Sequence, residues 1–175
     1  MRCFAAIDID KELKEKIIIL QKEISKINNV KLVERKNLHI TLKFFGKVNE
    51  NEIITIKNKI REITQQFHPF RINIRGLGVF PNLSYIRVIW LGVSENLVKI
   101  QEAIKTEFPD TTRKEVPHIT IARVKTGRNK DVIREFIEKN KDIKIGYMNI
   151  KNITLKESNL TEKGPIYRDI EIFSL

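Results

Sequence analysis

Three histidines occur in this chain, and two of them sit in nearly the same tetrapeptide: His39-Ile40-Thr41-Leu42 and His118-Ile119-Thr120-Ile121. Along a β-strand, side chains alternate between the two faces, so His39 and Thr41 share one face and His118 and Thr120 share another. The interleaved Ile and Leu residues would bury. Imidazole titrates near neutrality and can serve as either acid or base. One ring could take a proton from an attacking oxygen while the other gives one to a leaving oxygen. The two threonine hydroxyls could donate hydrogen bonds to nonbridging oxygens between them. Transfer at phosphorus needs in-line oxygens and relief of charge on the equatorial ones. Two His-Thr arms on opposite sides of a phosphate would supply both without a metal ion.

Other residues are weighed against that site. Arg123 follows the second element and could stabilise charge on a phosphate. Strict alternation places it on the face opposite His118 and Thr120, and a strand end or bulge would be needed to turn it. Phe44 and Phe45 follow the first element. One could stack on an unpaired base, and at least one is expected in the core. Trp90 lies among Ile and Leu and reads as core, His68 in "FHPF" as a loop residue, and Cys3 as a small buried residue at the start of a strand. A metal site would need a carboxylate or third histidine nearby. Glu34 and Glu115 lack ligand-like spacing, so neither a metal nor any other cofactor is expected.

The elements that must hold these residues read as α+β. Strands are expected at 3–9, 30–34, 38–46, 70–80, 85–93 and 118–124, and again in "IKIGYMNIKNITLKES" and "IYRDIEIFS". Helices are expected at 11–27, where Asp10 can cap and Leu13, Ile17, Leu20, Ile24 and Ile27 fall at helical spacing; from Asn49, with Ile53, Ile56, Ile60 and Ile63; at 95–107 behind Ser94; and at 130–139. Asn28-Asn29, Pro81-Asn82, Pro109-Asp110, Gly127-Arg128-Asn129 and "NLTEKGP" (159–165) read as turns or loops. "GLG" at 76–78 reads as a bulge or turn. "ERKNLHIT" and "TRKEVPHIT" suggest a weak internal duplication.

The 175 residues carry a net charge of +11, with 41% hydrophobic and 31% charged residues. That suits one soluble domain, residues 1–175, made of two lobes with interleaved contributions, and its charge fits a polyanionic partner such as RNA. A Lys-rich solvated surface would give the same charge without any such partner. No apolar run approaches the ~20 residues of a membrane span. No signal-peptide pattern opens the chain, so a cytoplasmic monomer is expected. The single cysteine excludes an intramolecular disulfide.

With these residues in view, the sequence resembles the 2H phosphoesterase superfamily, which carries two H-x-T-x motifs. Within it, the chain is similar to the bacterial and archaeal RNA 2′,3′-cyclic phosphodiesterases, also called 2′–5′ RNA ligases. "HITLKFFG" matches that group's H-x-T-L-x-F-x-G, and "HITIAR" its H-x-T-[IL]-x-R. "RCFAAIDI", "FPNLSYIRVIWLGV" and "LKESNLTEKGPIYRDI" extend the likeness over nearly the whole chain. The resemblance implies a bilobal, pseudo-two-fold fold, with antiparallel sheets lining a central groove and helices outside. It implies opening of a terminal 2′,3′-cyclic phosphate on RNA, tRNA-like fragments among the candidates, to leave a 2′-phosphate. His39 would be the acid on the 3′ leaving oxygen and His118 the base on water. Thr41, Thr120 and Arg123 would hold the phosphate. Reversal, with an RNA 5′-hydroxyl in place of water, would give 2′–5′ ligation. A non-catalytic RNA-binding protein, and a 2H enzyme for a 2′–5′ oligonucleotide or cyclic nucleotide, remain alternatives.

Overall fold

The structure is a computed structural model that describes residues 1–109, 116–125, 129–162 and 164–175. Asp110, Glu115 and Gly127-Arg128 lie outside the described residues. Among the described residues nine strands appear in chain order: β1 Arg2–Asp8, β2 Val30–Leu32, β3 His39–Lys47, β4 Phe70–Asn82, β5 Tyr85–Val93, β6 His118–Val124, β7 Lys144–Ile150, β8 Asn152–Thr161 and β9 Gly164–Ser174. Four helices accompany them: α1 Lys11–Ile24, α2 Glu50–Thr64, α3 Val98–Glu107 and α4 Lys130–Asn140.

Each helix buries an Ile- or Leu-rich stripe, as in α1 with Leu13, Ile17, Leu20 and Ile24 and α2 with Ile53, Ile56, Ile60 and Ile63. The start of α2 is fixed by a reciprocal cap. The Asn49 side chain accepts from the Glu52 amide at 3.0 Å, and the Asn49 amide donates to the Glu52 carboxylate at 2.7 Å, an arrangement worth about 1 kcal/mol. Asp10 stands at the N-cap of α1 without a side-chain cap bond.

The described strands form one antiparallel sheet in the order β7-β4-β5-β6-β3-β1-β8-β9, with β2 added beside β6. Helices α1 and α4 pack on the β6 half, and α2 and α3 on the β3 half. The two halves join where Ile40 of β3 pairs with Ile119 of β6. β7 ends at Ile150 and β8 begins at Asn152, yet they lie in different halves of the sheet. Only Lys151 separates them, so those ends can be no more than roughly 8 Å apart. The sheet must therefore curve strongly, bringing its halves around a groove. Ile40, Leu42, Ile119 and Ile121 are fully buried on the helix side.

Several expectations on local structure change, among them the turn at Pro81-Asn82, whose residues pair with Ile86 and Tyr85 at the end of β4, and the helix expected at 11–27, which ends at Ile24. The strand expected at 30–34 is shorter, Val30–Leu32, with one further backbone bond from the Val33 amide to the Ile121 carbonyl. The segment behind Ser94 begins as a 3₁₀ turn, Glu95–Leu97, before α3, and the Ser94 hydroxyl accepts from the Asn73 amide at 3.0 Å instead of capping. Within the polar stretch expected as a loop at 159–165, the described residues pair instead as the ends of β8 and β9, with Asn159 opposite Ile166 and Thr161 opposite Gly164. Cys3 is buried in β1 and His68 is exposed in a loop, as expected.

Candidate active site

Pairing of Ile40 with Ile119 in antiparallel register sets His39 beside Thr120 and Thr41 beside His118 when continued by one residue each way. The two His-Thr arms thus lie head to tail on adjacent strands, each imidazole diagonal to the other. All four side chains are half-buried and line one cavity of about 500 Å³. Arg123 and Phe44 line it too, along with the β8–β9 hairpin residues Pro165 and Tyr167.

Arg123 reaches that cavity through a break in strand alternation. Trp90 pairs with Thr120 but Ile89 pairs with Ala122, leaving Ile121 as an extra residue in β6. Ile121 and Ala122 are consequently both buried, and Arg123 emerges on the face of His118 and Thr120. β3 does the same. Ala6 pairs with Thr41 and Ala5 with Lys43, so Leu42 is the extra residue and Phe44 turns to the His39 face.

The imidazoles are held alike. His39 Nδ1 lies 2.7 Å from the Asn37 carbonyl, and His118 Nδ1 2.6 Å from the Val116 carbonyl. A carbonyl can only accept, so Nδ1–H donates in both rings and Nε2 carries the lone pair in the neutral form. The Thr41 hydroxyl, 3.0 Å from His39 Nε2, then donates to it. His39 is boxed by Phe4 and Tyr167, with ring centroids at 5.1 and 5.2 Å. His118 is backed by Phe80 at 4.9 Å and Trp90 at 6.2 Å. Trp90 was expected in the core. It is instead half-buried on the groove side, because it shares a face with Thr120, its partner in the ladder. Phe45 does pack into the core, edge-on to Phe108 at 5.0 Å.

Burial pushes the His39 imidazolium down to about 4, against the help of the Asn37 carbonyl, and the Lys156 ammonium adds to the depression. Lys156 is itself buried, 3.0 Å from Asp8 and 2.5 Å from Asp169. Burial also lowers His118, with Arg123 as a further cause. Both rings are therefore neutral at neutral pH, each with an unprotonated Nε2. Among the described residues, no three His, Cys, Asp or Glu side chains group as a metal site would require.

The LigT-like phosphoesterase family matches this sequence at residues 7–90 and again at 91–167, one H-I-T element falling in each match. The chain belongs to that family. A LigT-like relative from Methanothermobacter thermautotrophicus, named RNA 2′,3′-cyclic phosphodiesterase, is 42% identical over all of this chain and 99% of its own. One of the same name from Methanocaldococcus jannaschii is also 42% identical, over 98% of this chain and 99% of its own. Among solved structures, a Thermus thermophilus protein superposes with a TM-score of 0.87 at 26% identity, covering 100% of this chain and 98% of that one. Escherichia coli LigT, solved with NADP+, gives a TM-score of 0.79 at 22% identity, covering 99% and 97%, a likeness of fold. The α+β fold expected from the sequence is that of the LigT-like proteins.

Four features of this site were not read from the sequence: the bulge in β3, the aromatic backing of each histidine, the hairpin wall and the buried Lys156; the bulge in β6 was named only as one way that Arg123 could turn. The aromatic residues alone left a trace, since Phe4 and Trp90 stand in the strands that flank the two motifs.

Proposed function

We propose that this protein opens the terminal 2′,3′-cyclic phosphate of RNA to a 2′-phosphomonoester, by two-histidine acid–base catalysis that needs no metal, with 2′–5′ ligation as the reverse process. The observation that carries this is the head-to-tail placement of the His39-Thr41 and His118-Thr120 arms on paired strands. The names of the relatives support the substrate.

On this reading the steps divide between the two arms. Neutral His118, its Nδ1 occupied by the Val116 carbonyl, takes a proton from water at Nε2 as that oxygen attacks phosphorus. The P–O3′ bond breaks, and His39 Nε2–H gives its proton to O3′. The product carries the phosphate on O2′ and a free 3′-hydroxyl. Thr41 and Thr120 donate to the nonbridging oxygens, and Arg123 offsets their charge. In this scheme His39 must enter protonated, yet burial holds the ring neutral in the free protein. The anionic phosphate itself would favour the imidazolium, so substrate and proton bind together. Phe44, half-exposed at the groove, offers a ring to the terminal base.

The test is RNA ending in 2′,3′-cyclic phosphate, incubated with the protein in EDTA, with the final position of the phosphate identified. A 2′-phosphate is expected. Substitution His39→Ala or His118→Ala should each slow the reaction by roughly 10²–10⁴-fold, and smaller losses are expected for Thr41→Ala and Thr120→Ala. Loss of activity in chelator would refute the metal-free step, and full activity in His118→Ala would refute the base.

A further inference from the structure

Two glutamines are almost completely inaccessible in this chain: Gln21 on α1, 4% exposed, and Gln101 on α3, 2% exposed. Each stands on an otherwise apolar helix stripe, where an amide must find partners or forfeit its hydration. Gln21 Nε2 donates to the Ile121 carbonyl at 2.8 Å and to the Val33 carbonyl at 2.9 Å. Gln101 Nε2 donates to the Leu42 carbonyl at 3.2 Å. Ile121 and Leu42 are the extra residues of the two bulges, each three positions beyond the motif histidine. A bulged residue drops out of the strand ladder, so its buried carbonyl needs a donor from elsewhere.

The two glutamines share a sequence context, Leu20-Gln21-Lys22-Glu23-Ile24 and Ile100-Gln101-Glu102-Ala103-Ile104. They recur at nearly the spacing of the histidines. Their action is crossed: the glutamine of the first half holds the bulge of the second motif, and that of the second half holds the bulge of the first.

We propose that Gln21 and Gln101 are positioning residues that pin the paired bulges, so that Gln21 aims Arg123 and Gln101 aims Phe44 into the groove. This rests on the reading that Arg123 meets the phosphate and Phe44 the terminal nucleoside. Without Gln21, the Ile121 carbonyl keeps only the Val33 amide, which donates at 3.0 Å. Relaxation of β6 to regular alternation would return Arg123 to the opposite face.

Double-mutant cycles test it with Gln21→Met and Gln101→Met, which keep the side-chain shape and remove the donor. The readouts are the Kd of inorganic phosphate and the KM and kcat for 2′,3′-cyclic AMP. Gln21→Met should weaken phosphate about 3- to 10-fold, and should change it by less than about 2-fold once Arg123 is alanine. Gln101→Met should raise KM in the wild-type background and much less in Phe44→Ala. The crossed pairs, Gln21 with Phe44 and Gln101 with Arg123, should combine additively. The pH profile of kcat should stay in place. Should a methionine variant not fold, Gln21→Asn or Gln101→Asn takes its part in the same cycle. A lower melting temperature with unchanged Kd and KM, or equal losses in both alanine backgrounds, would overturn the proposal. Absence of turnover by the wild-type protein would count against the reading of the site instead, and the phosphate cycle would still decide the role of Gln21.

Discussion

Residue by residue, burial holds both imidazoles of the free site neutral, and His39 makes the consequence measurable. Its folded-state value of about 4 lies below the ordinary 6.5. The unfolded chain therefore binds a proton at higher pH than the native one does. Stability due to this group is fully present above about pH 6.5 and is lost as pH falls toward 4. A shift of this size is worth on the order of 3 kcal/mol. Urea denaturation at pH 7 and pH 4.5 should show that loss, and His39→Gln should remove much of it. An anion in the groove reverses the bias. The affinity for sulfate, a phosphate-shaped anion whose charge stays constant over this range, should therefore rise as pH is lowered from 8 to 6, because the bound state takes up a proton that the free state refuses. A pH-independent affinity would mean that His39 does not face the phosphate.

Among the elements, the paired strands carry the site and their neighbours shape it. Trp90 of β5 lies against β4 only because residue 78 is glycine: a Cβ there would meet the Trp90 ring at 2.3 Å. Phe80 and His118 flank that ring, at 5.0 and 6.2 Å, so it has nowhere to retreat. Gly78→Ala should cost about 1–3 kcal/mol and lower kcat, seen as a reduced melting temperature together with a weakened cyclic phosphodiesterase rate. The strand signal for both H-I-T elements was legible, since alternation with buried Ile and Leu survives in the sequence. So were the helix stripes, and the bulge or turn at "GLG", where Gly76 takes φ +79° at the slip between Ile74 and Leu77. The side that Arg123 faces was not legible. A bulge is decided by which residue of β5 meets which of β6, and that pairing leaves no mark in the local pattern. The hairpin end at 159–166 escaped for a related reason: its polar residues show no alternation, yet the ladder carries them. The buried glutamines were hidden because a lone polar residue on an apolar stripe reads as tolerated surface until its partner is known.

For the whole molecule, the same contacts that make the groove make the core. Buried residues from both halves form one apolar cluster, with Ile40, Leu42, Ile119 and Ile121 among them. Residues 1–175 are therefore expected to unfold as one domain, in a single transition by calorimetry and by fluorescence of Trp90. Two separated transitions would argue for independent lobes. The net charge of +11 and the presence of Lys31, Lys36 and Arg123 along the cavity predict that RNA affinity falls steeply with added salt. A flat dependence would place the recognition in the terminal nucleotide alone. On the proposed reading, Lys151 bears on which RNA ends can enter. That one residue clasps the sheet away from its spine at β3 and β6, so the jaws cannot swing wide. Such a mouth should favour a slender, frayed strand tip over a blunt duplex, making end structure a filter that acts before any bond is broken.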